Sequence, residues 1–204
     1  MISQLDAPET PPQGGRHLAR TAAIVVGVVL VALVALLATR KSTDQQVSRS
    51  QILGKAVPAV AGTTLGGQHF DVDQHLGQWV VIDFFGSWCG PCQAEQPELV
   101  KFAKAHHDDP DVAMVGIMYT DKKADALSFY RRSGATWPIL DDDGTTALSF
   151  GVTGVPETYV VNPDGQVVAK YEAGITAAAL DNVIRRYGGE STTAPSTSTA
   201  GATP

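Results

Sequence analysis

The run W-V-V-I-D-F-F at residues 79–85, followed by G-S-W and then C-G-P-C at 89–92, constrains the fold more than any other stretch of this 204-residue chain. Seven residues with a single polar member read as a strand buried on both faces, and such strands occur in parallel sheets covered by helices. The C-G-P-C opens a segment, 89–107, in which Leu99, Val100, Phe102 and Ala103 recur at helical spacing with charges between them. Pro97 falls inside that segment and predicts a kink there. A buried strand turning directly into a helix is the repeating unit of an α/β fold.

The pattern continues in kind. V-A-M-V-G-I-M (112–118) is a second buried strand, and residues 121–132 read as a second helix with Asp121 as its N-cap. D-D-D-G (141–144) is a turn, T-T-A-L-S-F (145–150) a short helix and E-T-Y-V-V (157–161) a third strand. N-P-D-G (162–165) then turns the chain into a hairpin strand at 166–171, and a last helix runs over 176–187, from Thr176 as N-cap to a stop at Gly188-Gly189. Strands alternating with helices and closed by a hairpin predict a three-layer α/β domain with a central mixed sheet over residues 57–188.

The ends have a different character. The leader 1–20 and the tail 189–204 are too poor in apolar side chains to offset the entropy of ordering them, so both are expected to be disordered. Residues 21–39, T-A-A-I-V-V-G-V-V-L-V-A-L-V-A-L-L-A-T, carry no charge, and a helix of about 20 such residues spans the hydrocarbon core of a bilayer. A cleaved signal peptide needs a shorter apolar region and a small-x-small site; Leu36-Leu37-Ala38 places a large residue where a small one is wanted. The expectation is therefore one uncleaved N-terminal transmembrane helix, joined to the domain by a polar linker at 40–56. Arg16 and Arg20 before the segment balance Arg40 and Lys41 after it, so charge gives almost no orientation. A short leader with a large C-terminal domain places that domain on the outer face. The formal net charge of -6, with no basic stripe interleaved with aromatics, argues against a nucleic-acid partner.

Cys89 and Cys92 are the only cysteines, which excludes a larger disulfide framework. A four-ligand metal site needs two further thiolates or imidazoles, and His69, His75, His106 and His107 show no zinc-type spacing. No metal is expected; His106-His107-Asp108-Asp109 reads as the solvated end of a helix. A cysteine at a helix N-terminus meets unpaired N–H groups and a partial positive charge, which brings its pKa from ~8.5 into the range of about 3.5 to 7.5. Cys89 is therefore the expected nucleophile and Cys92, one turn on, the resolving thiol. Pro91 suits the first helical turn, and Gly90 lets the backbone swing sharply out of the strand. Asp83, alone among apolar neighbours, is expected to have a raised pKa and to carry a proton to or from Cys92, with Glu95 as the rival carrier.

D-F-F-G-S-W-C-G-P-C followed by Pro97 resembles the thioredoxin superfamily, over roughly residues 56 to 188. The C-G-P-C-x-x-E-x-P form, the extra segment around Asp121 to Trp137 and the anchor resemble its TlpA/ResA-like branch of tethered extracytoplasmic thiol-disulfide oxidoreductases. G-V-T-G-V-P-E-T-Y-V-V (151–161) is similar to the corresponding stretch of the cytochrome c biogenesis members named CcmG or DsbE. The resemblance implies that Pro156 is cis and faces the dithiol, and that Val155 and Pro156 form the substrate-binding edge with Glu157 bordering it. It also implies that Trp88, Gly90 and Pro91 flank the reactive sulfur on the substrate side. Two departures stand out: many members of the branch carry Asn where Asp83 stands, and both Asp83 and Gly90-Pro91 are the thioredoxin choices. Together they imply a reducing dithiol.

The function so implied is a membrane-tethered, extracytoplasmic thiol-disulfide oxidoreductase that reduces disulfides of apocytochrome c. It needs no cofactor beyond the Cys89–Cys92 pair, and a membrane electron donor re-reduces it. The alternatives are an oxidant of secreted proteins and a non-enzymatic copper carrier of similar fold. Copper carriers space their cysteines as C-x-x-x-C with a partner histidine, which this chain does not match. A peroxidase would need a T-x-x-C motif around a lone cysteine, and none is present.

Overall fold

The computed structural model describes residues 24–33 and 51–189. The expected disordered leader (1–20) and most of the linker and tail (40–56 and 189–204) lie outside the described residues. Residues 24–33 form helix α1, exposed at every position. Ten residues rise only about 15 Å, half a bilayer core, and no helix among the described residues is long and apolar enough to cross a membrane. The remainder of the expected span, on both sides of α1, lies outside them.

Residues 51–189 form the α/β unit. A hairpin of β1 (Ala61–Thr63) and β2 (His69–Asp71) leads through a short 3-10 turn at Val72–His75 into β3 (Trp79–Phe85). There follow α2 (Gly90–Ala105), β4 (Val112–Met118), α3 (Lys123–Ser133), β5 (Ile139–Asp141), α4 (Thr145–Phe150), β6 (Glu157–Val161), β7 (Val167–Glu172) and α5 (Ala177–Gly188). The main sheet has the order β5-β4-β3-β6-β7. β3, β4 and β5 run parallel, while β6 is antiparallel to β3 and β7 to β6, so the sheet is mixed.

Alternation along β3 decides which side chain meets which layer. Val81 and Phe85 face a core built with Leu99 and Phe102 of α2, Phe129 of α3 and Leu180 of α5. Val80, Ile82 and Phe84 face the other core, with Phe70, Phe150 of α4 and Tyr159. There the rings of Phe84, Phe150 and Tyr159 lie 4.9 to 5.7 Å apart in tilted and edge-on arrangements. Each fully buried large apolar side chain contributes roughly 1.5–3 kcal/mol, so the central strand is held from both sides.

α2 runs through Pro97 to Ala105, and one local feature differs from expectation. The N-cap of α3 is Lys122, with no side-chain cap bond, because the Asp121 carboxylate is engaged elsewhere. At the far end of α2, His106 bonds Asp109 and reaches Asp181 of α5, each at 2.9 Å, so this histidine ties two helices together. Burial alone would lower its pKa, but those two carboxylates hold it above the ordinary imidazole value.

Candidate active site

β3 ends at Phe85 and α2 begins at Gly90, and the four residues between form the turn that presents the sulfurs. Trp88 folds back over Gly86, where a Cβ would lie 2.8 Å from the indole ring, so only glycine fits beneath it. The indole Nε1 donates to the Thr120 carbonyl at 3.0 Å, and the ring is left 58% exposed beside Cys89. The Asp121 carboxylate accepts from both the Ser87 N–H and, at 3.0 Å, the Ser87 hydroxyl. The β4–α3 connection thus braces the turn through two residues.

Cys89 occupies the N-cap of α2 and is joined to Cys92 in a disulfide. Its Sγ accepts from the Cys92 N–H at 3.1 Å, one of the helix's otherwise unpaired donors. The group that stabilises a thiolate at Cys89 is therefore already aimed at the sulfur. The Val155–Pro156 bond is cis, and the Val155 carbonyl oxygen lies 3.5 Å from Cys89 Sγ. Hence the loop before β6 and the start of α2 meet at the reactive sulfur.

Asp83 lies on the α2 side of the sheet by the same alternation that places Val81 and Phe85 there, and is 1% exposed. Its Oδ1 accepts from the Thr158 hydroxyl at 3.3 Å, while Oδ2 has no partner among the described residues. Burial, and then the nearby Glu95 charge, push its pKa well above the usual carboxylate value against the smaller pull of Thr158. Glu95, 4% exposed, accepts from the Ile175 N–H at 3.3 Å. Burial raises it to about 7, opposed by the N–H groups of Ile175 and Gly174. Both acids are buried on the side of the sheet that carries the cysteines, and the Glu95 charge adds to the rise of the Asp83 pKa.

Glu157 is placed differently. It pairs with Phe84 across β3 and β6, which turns its side chain to the α4 face, away from Asp83. There its carboxylate lies 3.1 Å from Lys170 Nζ and accepts from the Tyr159 hydroxyl at 2.6 Å. Its backbone adjoins the cis proline, but its charge is consumed in a buried ion pair. Thr158, Ser87 and Asp121 were not singled out from the sequence as site residues. The strand period was the available signal for Thr158, since it alternates with Glu157 and Tyr159. No group of three or more His, Cys, Asp or Glu among the described residues is arranged to hold a metal ion.

The model of the AhpC/TSA family matches residues 53–170. The Pasteurella multocida protein named "Probable thiol:disulfide interchange protein DsbE-2" is 31% identical over 153 residues, covering 73% of this chain and 78% of that one. Thiol:disulfide interchange protein DsbE of Allochromatium vinosum is 28% identical, over 84% of this chain and 96% of its own. Among solved structures, a DsbF homologue from Corynebacterium diphtheriae superposes with a TM-score of 0.59 at 25% identity, covering 72% of this chain and 96% of that one.

Proposed function

The chain belongs to the AhpC/TSA family and is a thiol-disulfide oxidoreductase of thioredoxin-like fold, and on that premise we propose that it works as an extracytoplasmic, membrane-tethered reductant of protein disulfides. The observation that carries the chemistry is Cys89 at the N-cap of α2, its sulfur bonded to the Cys92 N–H and beside the Val155 carbonyl. Cys89 as thiolate attacks a target disulfide, forming a mixed disulfide and releasing one target sulfur. Cys92 then gives up its proton, bonds to Cys89 Sγ and expels the second target sulfur, leaving the Cys89–Cys92 disulfide. Asp83 is the base that takes the Cys92 proton, with Glu95 as the rival carrier.

Trp88 supplies an exposed aromatic platform and Val155 a backbone edge beside the sulfur, which fits an extended polypeptide segment. The substrate class is a protein carrying a C-x-x-C disulfide, and the likeness of residues 151–161 to the cytochrome c biogenesis members supports apocytochrome c in that place. The uncharged segment 21–39, helical where described, supports the tether. A reductant on the outer face needs an electron donor in the membrane to regenerate its dithiol.

The test has two parts: the equilibrium potential of the couple, and capture of a C-x-x-C-H peptide as a mixed disulfide by the full-length Cys92→Ala variant. A potential near the thioredoxin value of about -270 mV, with a captured peptide that excess dithiol releases, is the expected result. A potential near the strong-oxidant value of about -120 mV overturns the reductant assignment.

A further inference from the structure

Asp83 is paired across the parallel register with Gly116 of β4, so the two residues sit side by side on the α2 face. Gly116 has no side chain, and the Tyr130 hydroxyl of α3 occupies the space above it, where any Cβ would overlap the phenol oxygen. That oxygen accepts from the Trp137 indole N–H at 2.8 Å, which fixes its position and leaves its own proton to be donated. Tyr130 is 4% exposed, so water does not compete freely for that proton. Asp83 holds the neighbouring register position, and its Oδ2 is the one buried side-chain oxygen or nitrogen without a hydrogen-bond partner among the described residues.

We propose that Tyr130 is a positioning residue for the redox reaction: its hydroxyl, held by Trp137 in the space Gly116 leaves open, serves Asp83 Oδ2 when that carboxyl is ionised, at contact or through one water. This rests on the assignment of Asp83 as proton carrier. When Cys92 resolves the mixed disulfide, its S–H proton moves to the Asp83 carboxylate, the Cys92–Cys89 bond forms and the Cys89–substrate bond breaks. The electron pair leaves on the substrate sulfur, which takes a proton from solvent. The base must therefore be charged in an apolar layer just before transfer, and a single donor lowers the cost of that state.

The groups that act on Asp83 are Glu95 from α2 and the neutral Thr158 from β6; in turn, the Asp83 charge acts on Tyr130 from α3. Tyr171 of β7 lies beyond Thr158 in the register, and β4 contributes only Gly116 at the paired position.

The experiment follows the Asp83 carboxyl band by infrared titration, identified by its loss in Asp83→Asn, in parallel with the pH profile of mixed-disulfide resolution. In Tyr130→Phe the Asp83 midpoint moves up by about one pH unit, as does the rising limb of the rate profile. Trp137→Phe keeps the phenol and moves both in the same direction by less. Tyr130→Phe combined with Asp83→Asn shows no shift beyond that of Asp83→Asn. An unmoved Asp83 midpoint in Tyr130→Phe overturns the contact, and so does an equal rate shift in the Asp83→Asn background. Should the midpoint move while Asp83→Asn keeps the wild-type rate profile, the contact stands and the proton-carrier assignment fails.

Discussion

Replacing Glu95 with Gln stabilises the oxidised protein in mildly alkaline solution and does so far less in acid. Glu95 is 4% exposed, and burial raises its pKa from 4.5 to about 7. Between those values the folded state holds a proton that the unfolded state has released. Stability is therefore greatest below the unfolded value, falls as pH rises through the interval, and levels off above the folded value. At ~1.36 kcal/mol for each pH unit between the two values, the interval corresponds to about 3 kcal/mol, a loss suffered by the wild type and absent in the variant. The amide keeps an acceptor for the Ile175 N–H, so little of the gain is returned. Removing the Glu95 charge also lowers the Asp83 pKa, because that charge is the second cause of its elevation. Urea unfolding of the full chain with its disulfide intact, at about pH 4.5 and about pH 8, measures the effect. The stability difference between variant and wild type should be larger by about 3 kcal/mol at the higher pH, or roughly 1 to 3 M in midpoint at typical slopes. A difference independent of pH would refute the argument that burial, not structure lost elsewhere, controls this acid.

Two further outcomes follow from other parts of the structure. Lys170→Met leaves Glu157 buried without its cation and costs about 3–5 kcal/mol in thermal unfolding, and adding Glu157→Gln recovers much of that loss; a single variant as stable as the wild type contradicts the ion pair's place in the core. Gly86→Ala pushes a Cβ into the Trp88 ring and detaches the indole from the Thr120 carbonyl, which changes tryptophan fluorescence and weakens peptide capture while leaving the overall fold intact; unchanged fluorescence and capture show that the ring is not held by that packing.

The central strands and long helices were legible because burial leaves a period. W-V-V-I-D-F-F and V-A-M-V-G-I-M became β3 and β4 with the predicted bounds, and the parity of β3 places Asp83 on the helix-covered side. β5 and the β1–β2 hairpin have three residues per strand, too few for any period to show. Asp121 was expected to cap α3, but the N-cap is Lys122, and the Asp121 carboxylate takes the Lys122 N–H together with the Ser87 N–H and hydroxyl, 34 positions earlier in the chain. The Tyr130–Trp137 pair was likewise illegible, though a glycine inside the otherwise apolar β4 was a signal of close approach by another group. Adjacency to Pro156 places the Glu157 backbone at the substrate edge but says nothing about its side chain, which turns to Lys170 and the Tyr159 hydroxyl.

The segregation of polar groups along β3 and β6 also guards against mispairing during folding. Asp83 and Thr158 point to one side, and Glu157 and Tyr159, in the same short strand, point to the other. A slip of β6 by one residue would invert its faces. It would deliver Glu157 into the layer that already holds Asp83 and Glu95, separated from Lys170, and would carry the Thr158 hydroxyl away from its acceptor. Three carboxyl groups confined together without a cation must stay protonated or carry an uncompensated buried charge, a penalty the native alignment avoids. The acids that equip this domain for proton transfer thus double as a proofreading device, rejecting the wrong alignment of the two strands on which the dithiol rests.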